Sequence, residues 1–189
     1  MRIIIKNMVI ILAYNQKINY NVRIIIKIRT NIYAHNLGGT MILKRKIYKK
    51  LLEWKNECQG KKALLIEGAR RIGKSTICEE FGKNEYESYL LIDFAKKDKE
   101  VEMYFERYLN DLDTFFMLLQ THFGTKLTER NSLIIFDEVQ MFPQARAAIK
   151  YLVADGRYDY IETGSLISIR ENVKNIVIPS EERNINMYP

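Results

Sequence analysis

The sequence predicts an α/β fold: a three-layer core in which helices cover both faces of a mainly parallel five-stranded sheet. Three observations carry this reading. Short apolar runs alternate with helix-spaced segments from Met41 onward. The runs are apolar on both faces, as strands buried on two sides must be. The first run passes through a glycine-punctuated turn directly into a helix. With 189 residues, 47% of them hydrophobic, and only three prolines, such a chain buries about 70% of its unfolded surface and needs no staple. Cys58 and Cys78 lack metal-ligand spacing and there are only two histidines, so both are expected to be reduced, inert thiols of a cytoplasmic protein.

The elements follow in order. Met41 to Glu57 sets Ile47, Leu51 and Trp54 at spacings of four and three, with Tyr48 and Leu52 alongside, which predicts an amphipathic helix with a basic outer face. Lys61 to Glu67 holds the first strand, centred on Ala63-Leu64-Leu65-Ile66. Residues 68 to 75 interrupt it, and Lys74 to Phe81 is a helix expected to stop near Gly82. Tyr89 to Phe94 is the second strand, followed by helices at about 97–109 and 111–122, the latter opening on Asp111 and Asp113, where a helix N-terminus favours acids. Leu133 to Phe136 is the third strand. Pro143 and Gly156 bracket a helix, proline at its start and glycine past its end. Tyr158 to Glu162 and Ile176 to Ile178 are the fourth and fifth strands.

Residues 1–40 follow a different compositional regime. Ile, Asn, Lys and Tyr fill 23 of the 40 positions, and the segment carries three Lys and three Arg without one acid. These residue types are the ones A/T-rich codons write, and Leu37-Gly38-Gly39-Thr40 reads as a translated ribosome-binding sequence before Met41. The expectation is therefore that 1–40 is a non-native upstream extension, disordered or forming short strands around Val9–Leu12 and Val22–Ile28. Its apolar run, Met8 to Ala13, is far short of the ~20 residues a membrane span needs. Residues 41–189 hold 24 basic and 23 acidic side chains. The basic balance of the whole chain is thus no argument for nucleic acid, although a local patch at Lys44 to Lys50 leaves that partner open.

Candidate chemistry lies at three strand ends. Gly68-Ala69-Arg70-Arg71-Ile72-Gly73-Lys74-Ser75 matches GxxxxGK[ST] between a strand and a helix. In that pattern backbone N–H groups converge on phosphate oxygens, with Thr76 completing the turn, while Lys74 reaches the β- and γ-phosphates of ATP and Ser75 ligates magnesium. Arg70 is expected to face solvent and Arg71 is left open. Leu133-Ile134-Ile135-Phe136-Asp137-Glu138 has the shape of a Walker B strand, with Asp137 a magnesium residue and Glu138 the base for an attacking water. The competing reading is that both acids cap the helix near Pro143. Thr163, with Ser165 in reserve, falls where a γ-phosphate sensor would stand, unless Thr163-Gly164-Ser165 is ordinary turn chemistry.

GARRIGKS, SLIIFDEVQ and YIETGS, in this order and spacing, resemble the prokaryotic AAA-family ATPases that join an N-terminal ATP-binding domain to a C-terminal domain of unknown function. The resemblance spans about 41–189 and implies a P-loop NTPase core. It also implies ATP and Mg2+ as ligands, hydrolysis with Glu138, Lys74 and Thr163 in catalytic roles, and homo-oligomers or a protein partner for the full-length form. Family chains continue into a helical lid and a second domain, whereas this one stops at Met187-Tyr188-Pro189. The expectation is a truncated core that lacks the lid and an arginine finger, binds nucleotide weakly and hydrolyses it slowly. Rival readings are a DExH-type helicase or translocase fragment, a small-molecule kinase, and a nucleotide-dependent switch without turnover.

Overall fold

The computed structural model describes residues 46–165 and 182–188. The expected extension 1–40, its strand pair, the start of the first helix and the Ile176–Ile178 strand lie outside the described residues. Helix α1 spans Lys46–Cys58, strand β1 Ala63–Gly68, helix α2 Lys74–Glu85 and strand β2 Ser88–Asp93. Helix α3 covers Lys99–Arg107 and α4 Leu112–Phe123. Strand β3 is Ser132–Asp137, helix α5 Pro143–Asp155, strand β4 Asp159–Ser165 and strand β5 Glu182–Met187.

The five strands form one sheet in the order β2-β3-β4-β1-β5, and every pairing is parallel. Parallel registration places all strand C-termini on one edge. Asp93 of β2 stands opposite Asp137 of β3, and Gly68 of β1 lies between Ser165 of β4 and Met187 of β5. Strand order reverses about β1, whose sequence successor β2 lies at the far edge, the arrangement that opens a crevice at the strand ends.

Strand alternation sends side chains to two cores. Leu64, Ile66, Leu133, Ile135 and Ile161 pack against α1 and α2 through Leu51, Trp54, Ile77 and Phe81. Ala63, Leu65, Leu90, Ile134, Phe136 and Tyr160 face α3, α4 and α5. Phe105 of α3 anchors that second layer, meeting Phe94, Phe115, Phe136 and Phe142 edge-on at ring separations of 5.0–5.7 Å. The two cores make the three expected layers. Among the described residues, no helix is long and apolar enough to cross a membrane.

The structure corrects one element boundary. Gly82 does not end α2, which runs on to Glu85. The glycine is instead a packing residue, because a Cβ there would stand 2.8 Å from Cβ and Cγ of Tyr89 on β2. The fifth strand of the described structure, Glu182–Met187, reads ERNINM and lacks the apolar run by which the other strands announce themselves. Its buried apolar residues are Ile185 and Met187, both against the α2 layer.

The other face of β4 and β5 holds buried charge. Arg146 of α5 pairs with Glu182 at 2.9 Å, their side chains 2% and 1% exposed, and fully buried Glu162 faces the same pair. Burial, and then the Glu182 charge, push the Glu162 carboxyl well above the ordinary value of 4.5. Because the folded value is raised, the stability it contributes is complete below about pH 4.5 and is lost as pH climbs through the raised value. Over that interval the unaltered chain should lose about 1.4 kcal/mol per pH unit relative to Glu162→Gln. Urea unfolding of both from pH 4 to pH 9 checks this, and parallel stability curves would show that the Glu162 carboxyl titrates alike in the folded and unfolded chains, with no raised value.

Candidate functional site

The loop after β1 is shaped by two residues without ordinary backbone geometry. Arg71 has φ 61° and Gly73 has φ 86°, both left-handed, and they flank Ile72 so that the chain reverses into α2 within a few residues. Gly68 is constrained differently. A Cβ at this position would lie 2.5 Å from the carbonyl oxygen of Met187 on β5 and 2.7 Å from Cδ1 of Ile72. The loop thus packs directly onto the end of β5, and only glycine allows that approach.

Helix α2 starts without a side-chain cap. Its first backbone bond runs from the Ile77 N–H to the Gly73 carbonyl at 3.1 Å. The N–H groups of Lys74, Ser75 and Thr76 therefore have no helical acceptor, and the positive end of the helix dipole adds to their pull on an anion. Lys74 is only 4% exposed. Its Nζ arches back under the loop and donates to the carbonyls of Gly68 at 3.2 Å and Ala69 at 2.8 Å. A buried ammonium tolerates such a place because carbonyl oxygens receive its protons. Arg70 and Arg71 are both exposed, so solvent is the place of each, as expected for Arg70.

The second and third strand ends meet this loop at one carboxylate. Asp137, buried at the tip of β3, accepts from Ser75 Oγ at 2.8 Å and from Thr163 Oγ1, both on Oδ1. Thr163 in turn accepts the backbone N–H of Glu138 at 3.2 Å. The three expected residues Ser75, Asp137 and Thr163 are thus brought into direct contact from α2, β3 and β4. Strand alternation explains the convergence: Ile135 and Ile161 face the α2 layer, so Asp137 and Thr163, two positions later, face it too. Cys78 lies one turn beyond Ser75 in the same layer; burial first, and Asp137 second, push its thiol up, which fits the inert role expected of it.

Both bland alternatives are overturned by these contacts. The acids do not cap the next helix, because α5 has Phe142 at its cap position without a side-chain bond, and Asp137 is already taken up by two hydroxyls. Thr163-Gly164-Ser165 is not a turn. It is the buried end of β4, in register with Ile66, Glu67 and Gly68.

Glu138 leaves the strand in a left-handed conformation, φ 53° and ψ 46°, and leads into a single 3-10 turn, Val139–Met141. Within that turn Gln140 is 3% exposed, and its Nε2 donates to Glu138 Oε2. The sequence contained this residue in the SLIIFDEVQ run but offered no sign of its role. A polar side chain two positions past a strand reads as loop surface until the turn is seen to bury it.

The donor set suits a hard cation. Ser75 and Asp137 offer one hydroxyl and one carboxylate, and magnesium typically takes one or two carboxylates while substrate phosphates and water complete its shell. Among the described residues no group of three or more His, Cys, Asp or Glu side chains gathers as an all-protein metal cage.

A family model described as an AAA domain matches residues 60–189, more than half of the chain. No curated protein matches it.

The contact between the loop and β5 yields a direct expectation. Gly68→Ala must push the loop away from the Met187 carbonyl, and overpacking of this kind costs about 1–3 kcal/mol. Thermal unfolding measures it; an unchanged Tm would mean that the loop has room to move off β5.

Proposed function

The chain belongs to the AAA-domain family, and from that premise we propose that it binds ATP over the segment Gly68 to Thr76 and hydrolyses it with magnesium. The observation that carries the reading is the junction at Asp137, where hydroxyls from α2 and β4 meet one carboxylate beside a buried lysine. Bracing the helix needs only the carboxylate and its hydroxyls, whereas phosphoryl chemistry needs a cation, metal oxygens and a hydroxyl donor in one place.

Each residue has a part in the proposal. The free N–H groups at the start of α2 receive phosphate oxygens, and Lys74 exchanges its two carbonyl acceptors for the β- and γ-phosphates. Ser75 and Asp137 would hold magnesium, which when bound neutralises charge on the phosphates. Glu138 orients and deprotonates the attacking water from the turn after β3. Thr163 has one hydroxyl proton, now given to Asp137. It can bind the γ-phosphate only by releasing that carboxylate, which suits a residue that reports the state of the nucleotide.

ATP affinity and turnover, measured on the 189-residue chain, test this reading. Lys74→Met is expected to weaken ATP binding by about 10- to 100-fold, the worth of a charge-assisted hydrogen bond of about 1.5–3 kcal/mol. Glu138→Gln is expected to keep ATP affinity while turnover falls by about 10²- to 10⁴-fold. Unchanged binding in the lysine variant would contradict the site. Equal turnover in the glutamate variant would remove Glu138 from the chemistry, and binding without turnover in the unaltered chain would favour the nucleotide-dependent switch over the hydrolase.

A further inference from the structure

Gln140 is a buried polar side chain next to the machinery just proposed and has no task in it. Gln140 has its amide inside the protein, 3% exposed, and makes one hydrogen bond, from Nε2 to Glu138 Oε2. Its Oε1 is buried and has no hydrogen-bond partner among the described residues. A buried amide that served folding alone would be expected to satisfy both halves, since an unmet polar atom costs about 1–3 kcal/mol. Here one half is left unmet, and the other is aimed at a carboxylate. The orientation follows from chemistry as well, because an ionised carboxylate only accepts and so must face the amino half of the amide.

Glu138 is held at its backbone on both sides, its carbonyl accepting from the Met141 N–H at 2.9 Å. Its backbone is left-handed, its N–H is held by Thr163, and its carboxylate is held by Gln140. The neighbours of Gln140 do not move freely: Val139 is buried in the core on the α5 side of the sheet, and Phe142 stacks on Phe94 at 5.4 Å. The short turn is thus fixed on both sides of Gln140, and its amide forms a rigid post against which the glutamate carboxylate rests.

We propose that Gln140 is a positioning residue for hydrolysis, holding the Glu138 carboxylate in the orientation from which it acts on water. This rests on the reading of Glu138 as the base. In this proposal Gln140 acts through the Glu138 carboxylate and not on nucleotide or water itself, so its loss should leave binding alone and slow the chemical step. A misplacement of the reacting group by about 1 Å can cost about a hundredfold, which sets the upper size of the effect.

Gln140→Met separates positioning from packing. Methionine fills a similar volume without a donor, so a role in packing alone would be preserved and a hydrogen-bonding role lost. Gln140→Glu keeps the shape but turns a carboxylate toward a carboxylate. For both variants of the 189-residue chain we expect kcat for ATP to fall tenfold or more, with the ATP dissociation constant within twofold of the unaltered chain. A kcat within twofold of the unaltered chain in Gln140→Met would overturn the proposal. So would a parallel loss of affinity and Tm, which marks a structural role. If the unaltered chain shows no turnover, the reading of Glu138 fails first and the role of Gln140 fails with it. Turnover that persists unchanged in Gln140→Met defeats the positioning role alone.

Discussion

One carboxylate joins the parts of this molecule that would act on phosphate. Asp137 stands at the tip of strand β3 and accepts hydrogen bonds from the hydroxyls of Ser75 on α2 and Thr163 on β4. Hydrogen bonds to a charged acceptor are worth about 1.5–3 kcal/mol each, so the contacts brace the loop end of α2 against the sheet as well as arranging oxygen atoms. Removing the carboxylate would release a helix start, a strand end and, through Thr163, the backbone of Glu138. The site is consequently not decoration on a finished fold. It is the joint at which the α2 layer is fastened to the strand edge.

The rest of the fold can be understood as what makes that joint possible. Parallel pairing in the order β2-β3-β4-β1-β5 places the ends of all five strands beside one another, and alternation turns Asp137 and Thr163 toward the helix that begins with Lys74 and Ser75. The aromatic layer under α3, α4 and α5 stiffens the opposite face, and Arg146 with Glu182 ties α5 to the edge strand β5. That edge strand then presses its final carbonyl against Gly68. A buried ion pair is weak evidence for net stability, but this one adds a polar tie between α5 and the strand that abuts the loop.

Much of this was legible in the chain itself, for identifiable reasons. The apolar runs at Ala63–Ile66 and Leu133–Phe136 announced strands because both faces of each are buried, and Asp137 stood out because an acid after such a run serves no packing need. Lys74 and Ser75 were legible through spacing, since glycine, lysine and hydroxyl must follow one another to surround phosphate. What escaped was set by tertiary contact. Strand β5 is polar on its exposed face and has only Ile185 and Met187 to show, so no periodicity marked it. Gly82 looked like a stop because its true constraint, the ring of Tyr89, comes from a different element. Gln140 was silent because a 3-10 turn, not a sequence pattern, carries it inside.

In the function proposed above, Asp137 converts a helix–strand joint into a magnesium-dependent nucleotide site. The most direct measurement is ATP affinity as a function of magnesium concentration in the unaltered chain and in Asp137→Asn, an isosteric change that can still accept a hydrogen bond from Ser75 or Thr163. Magnesium is expected to tighten ATP binding by the unaltered chain, and this tightening is expected to be lost in the variant, while metal-free affinity is preserved. Equal magnesium dependence in both proteins would contradict it, and would leave Asp137 as a structural brace alone.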